Sequence, residues 1–275
     1  METITENKSC ANWINIEYFK LMLEKFVSEN KQLCIESGYP WGLFVPYVFP
    51  NYRNAPLKIF YVGRDTYYWK EIGLMLDAFD NGNLESYLLE NASAVDLETR
   101  LNWGNSSGAY WSFVNKLHLY IRTGQIKDLN NLSTEDKAIL QEVGYGNVNC
   151  LELDQTLLKI YNQEGWPIDD IDFNKLNLLR ERSRVFDNIS HIINAYSPDV
   201  VIILNWDNYA DYYLEGTDFI WQKDLNIDSI QAVYLSEKSK TKVIWSSHPT
   251  RFKFLGENQE NMVRILGDLL LSIKL

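Results

Sequence analysis

Two loops and a pair of amides supply the residue types in this chain that are able to do chemistry. One loop, with the sequence GRDTYYW, contains the carboxylate of Asp65, and the other, SSHPT, contains the imidazole of His248. Asn147 and Asn149 add two carboxamides. Fixed carboxylates and imidazoles stabilise charges that develop in a reaction, and carboxamides form directed hydrogen bonds to a ligand. The pattern indicates a site for polar catalysis or for recognition of a polar ligand.

Each of these groups lies at or near the end of a run that is typical of a buried strand. Lys58–Gly63 precedes the first loop, Lys242–Ser247 precedes the second, and Tyr145–Leu153 contains both amides. Asp199–Leu204 is a fourth and strongly apolar run. In an open parallel sheet, ligands bind beyond the carboxyl ends of the strands. We therefore expect the acid, the histidine and one amide to meet at one edge of a sheet.

Helices are predicted between these strands because apolar residues recur there at helical spacing. The expected helices cover residues 11–36, 70–90 with a break at Asn81-Gly82, 106–122, 172–196 and 257–274. Ser133 is a predicted helix cap, and Gln231–Leu235 is a candidate for a short edge strand. Strands that alternate with helices predict an α/β fold, here with three α/β/α layers around a central, mostly parallel sheet of four strands. Residues 1–275 are expected to form a single domain, with residues 1–55 as an N-terminal helical and aromatic extension packed on it.

Composition narrows the class of protein. The formal net charge is -11, which argues against tight non-specific binding to nucleic acid because phosphate contacts need clustered Lys and Arg. No stretch approaches the roughly 20 apolar residues that a membrane span needs, and the N-terminus lacks the pattern of a signal peptide. Three widely spaced cysteines form neither a metal-ligand pattern nor a disulfide framework. A cytoplasmic protein that does not act at a membrane is expected.

The two loop motifs resemble those of the uracil-DNA glycosylase superfamily. That family has a first motif of the form GQDPYH, or GQE-type variants ending in Trp, and a last motif HPS or HPN after the final strand. This chain has VGRDTYYW and WSSHPT at the matching places, and is most similar to bacterial uracil-DNA glycosylase-like proteins with a VGQETNGW-type motif. The segments YWSFVNKL and SPDVVIIL extend the resemblance, which spans residues 55–275.

This resemblance implies the uracil-DNA glycosylase-like fold and hydrolysis of the N-glycosidic bond of a deaminated or damaged base, with DNA or another nucleobase-containing ligand as partner. It implies no metal and no organic cofactor. Asp65 matches the acid that stabilises the developing sugar cation and orients the attacking water. His248 matches the residue that stabilises the departing base as an oxyanion. Such a base must leave the helical stack to reach these groups.

Further residues are assigned to base recognition by the same resemblance. Tyr67 matches the aromatic residue that excludes thymine. Asn147 is the match for the amide that reads the edge of the base, with Asn149 as the alternative. The stacking residue is either Trp69 or Phe79, and Gly63 and Arg64 complete the expected base site.

The run after the histidine is the expected contact with DNA. Arg251 and Lys253 are candidates for phosphate contacts, and Phe252, Phe254 or Leu255 for a wedge between bases. The neighbouring Pro249 and Thr250 are included in this predicted DNA-binding segment.

Two departures from the family motif support a second interpretation. Arg64 and Thr66 stand where the family has Gln and Pro. Together with the net charge of -11, these changes favour a catalytically inactive module with the same fold that binds a nucleotide, nucleic acid or protein partner. A different small-molecule hydrolase or transferase is a weaker third interpretation, because no G-x-S-x-G elbow, P-loop or G-x-G-x-x-G fingerprint is present.

Overall fold

The computed structural model describes residues 15–63, 71–93, 96–106, 109–151, 171–186, 189–205, 211–222 and 230–272. The predicted site residues Arg64, Asp65, Tyr67 and Trp69 lie outside this described part of the chain, as does Thr66. Within it, no helix is both long and apolar enough to cross a lipid bilayer.

The described part of the chain forms both helices and strands. The helices are α1 (Ile16–Glu36), α2 (Ile72–Asp80), α3 (Leu84–Ser93), α4 (Leu97–Ser106), α5 (Ala109–Thr123), α6 (Thr134–Ile139), α7 (Phe173–Ser183), α8 (Ile189–Tyr196), α9 (Asp211–Leu214) and α10 (Gln259–Ser272). The strands are β1 (Tyr47–Val48), β2 (Ile59–Gly63), β3 (Val143–Asn147), β4 (Val200–Leu204), β5 (Phe219–Gln222), β6 (Ile230–Ser236) and β7 (Lys242–Ser246). Short 3-10 helices cover Tyr52–Asn54, Arg184–Phe186 and Pro249–Leu255.

The sheet has seven strands in the order β1-β3-β2-β4-β7-β6-β5, so the expectation of four strands was wrong. The four central strands β3, β2, β4 and β7 are parallel. The sequence predicts a strand at each of these places, but β3 covers Val143–Asn147 rather than the expected Tyr145–Leu153. Antiparallel strands extend both sides: β1 pairs with β3, and β5 and β6 follow β7. The sequence does not indicate β1 and β5 because two to four residues are too few for a periodic pattern.

Side chains on alternate residues of the central strands pack against helices on opposite faces of the sheet. On one face, Tyr61 of β2 contacts His118 of α5, with the Tyr61 hydroxyl 3.2 Å from the His118 Nδ1. On the other face, Phe60 stacks on Tyr196 of α8, with ring centroids 5.5 Å apart. Helices therefore cover both faces, as a mostly parallel sheet requires.

The N-terminal helix α1 packs into the same core. Asn15 caps it by accepting a hydrogen bond from the backbone N–H of Tyr18. On its buried side, Phe19 stacks on Tyr196 at 6.1 Å and Phe26 meets Phe186 edge-on at 5.4 Å. Burial of these rings stabilises the attachment of α1 by about 1.5–3 kcal/mol for each side chain.

One predicted helix break and one predicted helix cap are confirmed, but the single helix expected over 172–196 is divided into α7, a 3-10 helix and α8. The break at Asn81-Gly82 separates α2 from α3, and Gly82 has a φ of +68°, which glycine adopts without strain. Ser133 caps α6 and forms a capping box with Asp136.

Buried tyrosines are expected to make the fold sensitive to alkali. Burial raises the pKa of Tyr87 to about 12, and it raises the pKa of five other tyrosines well above the usual value, namely Tyr47, Tyr52, Tyr61, Tyr110 and Tyr196. The unfolded chain releases these protons near pH 10, whereas the folded chain retains them. The contribution of these protons to the free energy of unfolding is therefore fully present below pH 10. It falls as the pH rises above 10, by about 1.4 kcal/mol per pH unit for each retained proton.

Urea unfolding between pH 8 and pH 11 measures this dependence. The Tyr52 hydroxyl is buried and has no hydrogen-bond partner in the described part of the chain, so Tyr52→Phe removes one such proton at little other cost. We expect this variant to lose stability less steeply above pH 10 than the wild type. Identical slopes for the two proteins would contradict the prediction.

Candidate functional site

The carboxyl ends of the four parallel strands meet at one edge of the sheet. Gly63 at the end of β2 is paired with Asn147 at the end of β3, and Leu204 of β4 is paired with Ser246 of β7. We call this edge the rim and define it by Gly63, Asn147, His248 and the neighbouring Tyr110. The rim is where a parallel sheet binds ligands.

Gly63 allows three elements to approach one another closely. A Cβ atom on this residue would lie 2.7 Å from the Oδ1 atom of Asn147 and 3.5 Å from the Cε2 atom of Tyr110. Any side chain would therefore displace the Asn147 carboxamide, whereas the Tyr110 ring is at an ordinary contact distance. The two predicted site residues Gly63 and Asn147 are in contact, and Tyr110 at the start of α5 closes over them.

His248 is held at the rim by its own loop and by Tyr110. Its ring lies nearly parallel to that of Tyr110, with an interplanar angle of 20° and centroids 6.2 Å apart. The Nδ1 atom accepts a hydrogen bond from the backbone N–H of Thr250 at 3.3 Å and lies 2.9 Å from the Thr250 hydroxyl. A nitrogen that accepts from an N–H group carries no proton, so the neutral ring has its proton on Nε2. The N–H donor of the neutral ring is thereby on Nε2, and an N–H donor is a group that stabilises a developing negative charge.

Asn147 and Asn149 have different surroundings. The Oδ1 atom of Asn147 accepts a hydrogen bond from the Tyr145 hydroxyl at 3.2 Å, beside Gly63. The Oδ1 atom of Asn149 accepts one from Nη2 of Arg180, at 3.3 Å, on helix α7. Of the two amides, Asn147 is therefore the one that the structure brings together with Gly63 and Tyr110.

Phe79, a predicted stacking residue, lies on a different surface. It lines an open groove of about 470 Å³ between α2 and α1, together with Leu21, Lys25 and Leu84. Phe79 thus lies beside a groove that residues of the N-terminal helix also line, and it is not one of the residues that define the rim.

The 3-10 helix Pro249–Leu255 divides the predicted DNA-binding segment into buried and exposed residues. Pro249 is buried, and Phe252 is only 1% exposed because its ring packs edge-on against Phe113 at 5.0 Å. Phe252 is therefore part of the core and is not available as a wedge in this conformation, contrary to the prediction. Phe254 is 84% exposed instead. Thr250 and Lys253 are exposed, Arg251 is half-buried and Leu255 is partly exposed.

Below the rim, on the α5 face of the sheet, a buried histidine is joined to two partly buried charged side chains. The Nε2 atom of His118 lies 3.8 Å from Glu142, which in turn accepts a hydrogen bond from Arg122 at 2.6 Å. Burial lowers the pKa of His118, which keeps its ring neutral at pH 7. His118 has a structural role, because its contacts connect β2 to α5 and to the chain before β3.

Arg100 is a buried cation close to this group of side chains. Its guanidinium lies 3.6 Å from the centroid of the Phe49 ring and donates a hydrogen bond to the carbonyl of Leu140 at 2.9 Å. Burial lowers its pKa to about 9, so the group remains charged at pH 7. Its charge acts on the hydroxyls of Tyr47 and Tyr110.

Three residues near the rim were not assigned a role from the sequence: Tyr110, Tyr145 and Arg100. Tyr110 lies in the aromatic segment that carries part of the family resemblance, and Tyr145 is two residues before Asn147 on the same face of a strand. These two positions in the sequence could have indicated that Tyr110 and Tyr145 lie near the site. Arg100 lies in the polar stretch DLETRLN, where nothing in the sequence distinguishes a buried arginine from an exposed one.

The described rim brings together groups whose chemistry suits recognition of a flat polar ligand. It offers an aromatic ring, a carboxamide and an imidazole N–H, and among the described residues no group of His, Cys, Asp or Glu is arranged to hold a metal ion. No model of a protein family matches the chain, and no curated protein matches its sequence. The chemistry of the rim residues is therefore the basis for assigning a function.

Proposed function

We propose that this chain is a DNA glycosylase-like hydrolase that cleaves the N-glycosidic bond of a deaminated or damaged base such as uracil, on a uracil-DNA glycosylase-like fold. The observation that carries the proposal is the convergence of Gly63, Asn147 and His248, which are far apart in the chain, around the ring of Tyr110. From the sequence, Gly63 and Asn147 were expected in a base site and His248 was expected as a catalytic group. The three residues lie at the ends of three different strands.

The proposed mechanism assigns complementary charges to the two sides of the scissile bond. As the bond breaks, positive charge builds on the sugar and negative charge on the base. The Nε2–H group of His248 stabilises the negative oxygen of the base, and the carboxylate of Asp65 stabilises the sugar and orients water. Water then adds its hydroxyl group to the sugar carbon, and the departing base takes up a proton. The products are an abasic sugar and a free base.

Asn147 at the rim and the segment after His248 are assigned to recognition of the substrate. Asn147 forms hydrogen bonds with the base edge, while Arg251 and Lys253 approach the DNA backbone. The exposed ring of Phe254 takes the wedge role that the buried Phe252 cannot take. An inactive binding module is the second candidate, favoured by the net charge of -11, which disfavours lasting contact with DNA.

Release of free uracil from single- and double-stranded DNA containing uracil tests the proposal. We expect wild-type protein to release the base and Asp65→Asn to lower the rate by about 10²-fold or more, because the sugar cation loses its counter-charge. Asp80→Asn is the matched control. Asp80 forms an exposed ion pair with Lys31, and such pairs contribute little.

The outcomes separate the two candidates. Release that depends on Asp65 but not on Asp80 supports the glycosylase. Binding of uracil-containing DNA without release of base indicates the binding module. Release that is unchanged in Asp65→Asn contradicts the assigned chemistry.

A further inference from the structure

The side chain of Gln259 joins two helices close to the rim. Gln259 is the first residue of α10, and its Nε2 group donates a hydrogen bond at 3.1 Å to the carbonyl of Ala109, the first residue of α5. Its Oε1 atom accepts hydrogen bonds from the Ser112 hydroxyl at 3.2 Å and from the Nζ group of Lys116 at 3.4 Å. Both ends of the carboxamide are therefore attached to the first two turns of α5.

The residue after Ala109 is Tyr110, which packs against His248 at the rim. The ring of Tyr110 lies nearly parallel to the imidazole, with centroids 6.2 Å apart. The outer torsion of a histidine side chain has a broad energy minimum, so contacts with neighbouring groups set the tilt of the ring. Thr250 holds the Nδ1 edge of His248, and Tyr110 stacks on its ring. The direction of the Nε2–H group therefore depends on where α5 places Tyr110.

The chain between His248 and Gln259 is tightly folded. Phe252 is buried in the core, and its carbonyl accepts a hydrogen bond from the backbone N–H of Glu257 at 2.9 Å. Gly256 ends the 3-10 helix with a φ of +77°, which glycine adopts without strain. The segment that carries the imidazole is therefore firmly connected to the carboxamide that contacts α5.

We infer that Gln259 is a positioning residue that fixes the start of α5 through its hydrogen bond to Ala109. The fixed helix start holds Tyr110 against His248 and thereby sets the direction of the Nε2–H group. The catalytic consequence rests on the proposed function, in which this group must meet the departing base, whereas the stacking of the two rings does not. A small misdirection of such a donor lowers the rate of the reaction more than it weakens substrate binding.

Replacing Gln259 by glutamate separates the contact with Ala109 from the other two. A carboxylate still accepts hydrogen bonds from Ser112 and Lys116, but it has no N–H group to donate to the Ala109 carbonyl. The new charge also pairs with Lys116, so we expect little change in the free energy of unfolding. The variant therefore changes the position of the helix start without a general loss of stability.

Nuclear Overhauser effects between the ring protons of Tyr110 and His248 measure the stacking in the ligand-free, full-length protein and need no catalytic turnover. In Gln259→Glu we expect these effects to weaken, because the start of α5 is no longer fixed. We also expect kcat for the release of uracil to fall about 10-fold, with little change in KM, because a catalytic donor is misplaced. Unfolding in urea measures the stability of each variant separately.

Lys116→Met is the matched control. This variant removes one partner of the Gln259 Oε1 atom and leaves the hydrogen bond to Ala109 in place. We expect it to keep the wild-type Overhauser effects and the wild-type kcat. Equal weakening in Lys116→Met and Gln259→Glu would mean that any change in this region disturbs the two rings, and it would overturn the inference.

Gln259→Ala provides a second test that introduces no charge. It removes the donor to Ala109 together with the Oε1 acceptor, and we expect the same weakening of the Overhauser effects. Wild-type Overhauser effects in this variant overturn the inference, even if Gln259→Glu does not fold.

The remaining outcomes separate this inference from the proposed function. Weakened Overhauser effects in both Gln259 variants, with no release of uracil by the wild type, support the fixing of the two rings by Gln259 and contradict the glycosylase. Weakened effects with an unchanged kcat in an active protein overturn the positioning role. Absence of Overhauser effects between the two rings in the wild type overturns the inference whatever its activity.

Discussion

Replacing His248 by alanine is expected to lower the rate of uracil release by about 10²–10³-fold, with little change in KM. In the proposed mechanism, the Nε2–H group of His248 faces charge that exists only while the bond to the base is breaking, so its loss affects the transition state more than the ground state. The hydrogen bond from the Thr250 backbone to Nδ1 keeps the proton on Nε2 before the base binds. Steady-state kinetics with uracil-containing DNA measure the effect.

His191→Ala is the control for this prediction. His191 lies on α8, and its Nδ1 atom is 2.7 Å from the hydroxyl of Tyr18 on the first helix. It is comparable in size and partial burial, but its partner belongs to the N-terminal helix. We expect the kcat of the His191→Ala variant to stay near the wild-type value. If His248→Ala retained more than a tenth of the wild-type rate, His248 would not stabilise the departing base.

Replacing Gly144 by alanine is expected to destabilise the fold by about 1–3 kcal/mol or more. A Cβ atom on this residue would lie 2.1 Å from Cδ2 and 2.3 Å from Cε2 of the Phe60 ring. The ring is held between Tyr52 at 6.1 Å and Tyr196 at 5.5 Å, so it cannot move aside without displacing them. The free energy of unfolding in urea measures the loss.

Gly73→Ala serves as the opposite control. Gly73 lies in α2, where a Cβ atom would meet no atom within 4 Å. Alanine restricts the unfolded chain and favours the helix, so we expect this variant to be more stable by about 0.5–1 kcal/mol. Equal stability of the two glycine variants would contradict the close approach of Gly144 to Phe60.

Local patterns in the sequence were sufficient for the central strands and most helices. The apolar runs that end at Gly63, Leu204 and Ser246 are strands in the structure, and the break at Asn81-Gly82 separates two helices. These features depend on residues close together in the chain, where hydrophobic spacing and turn residues dictate the backbone. Because parallel strands end at the same edge of a sheet, the convergence of the strand ends could also be expected from the sequence alone.

The edge strands depend on distant partners. β1 has two residues in a proline-containing stretch and exists because Tyr47 and Val48 pair with Tyr145 and Gly144. Such a short strand is stabilised by its neighbour rather than by its own sequence. Tertiary contacts therefore added β1 and β5, which the sequence does not indicate. The candidate strand Gln231–Leu235 is β6, but it lies between β7 and β5 rather than at the edge of the sheet.

Tertiary structure also decided which of several similar side chains face the rim or the solvent. With about three residues per turn, the 3-10 helix places Pro249 and Phe252 on the buried side, which leaves Phe254 exposed. The end of β3 at Asn147 places that amide beside Gly63, while Asn149 turns to Arg180. The sequence by itself determined the polar groups and the strands that carry them, because these follow from local composition. Only the packed structure determined which groups meet, because side chains that are adjacent in the fold come from distant parts of the chain.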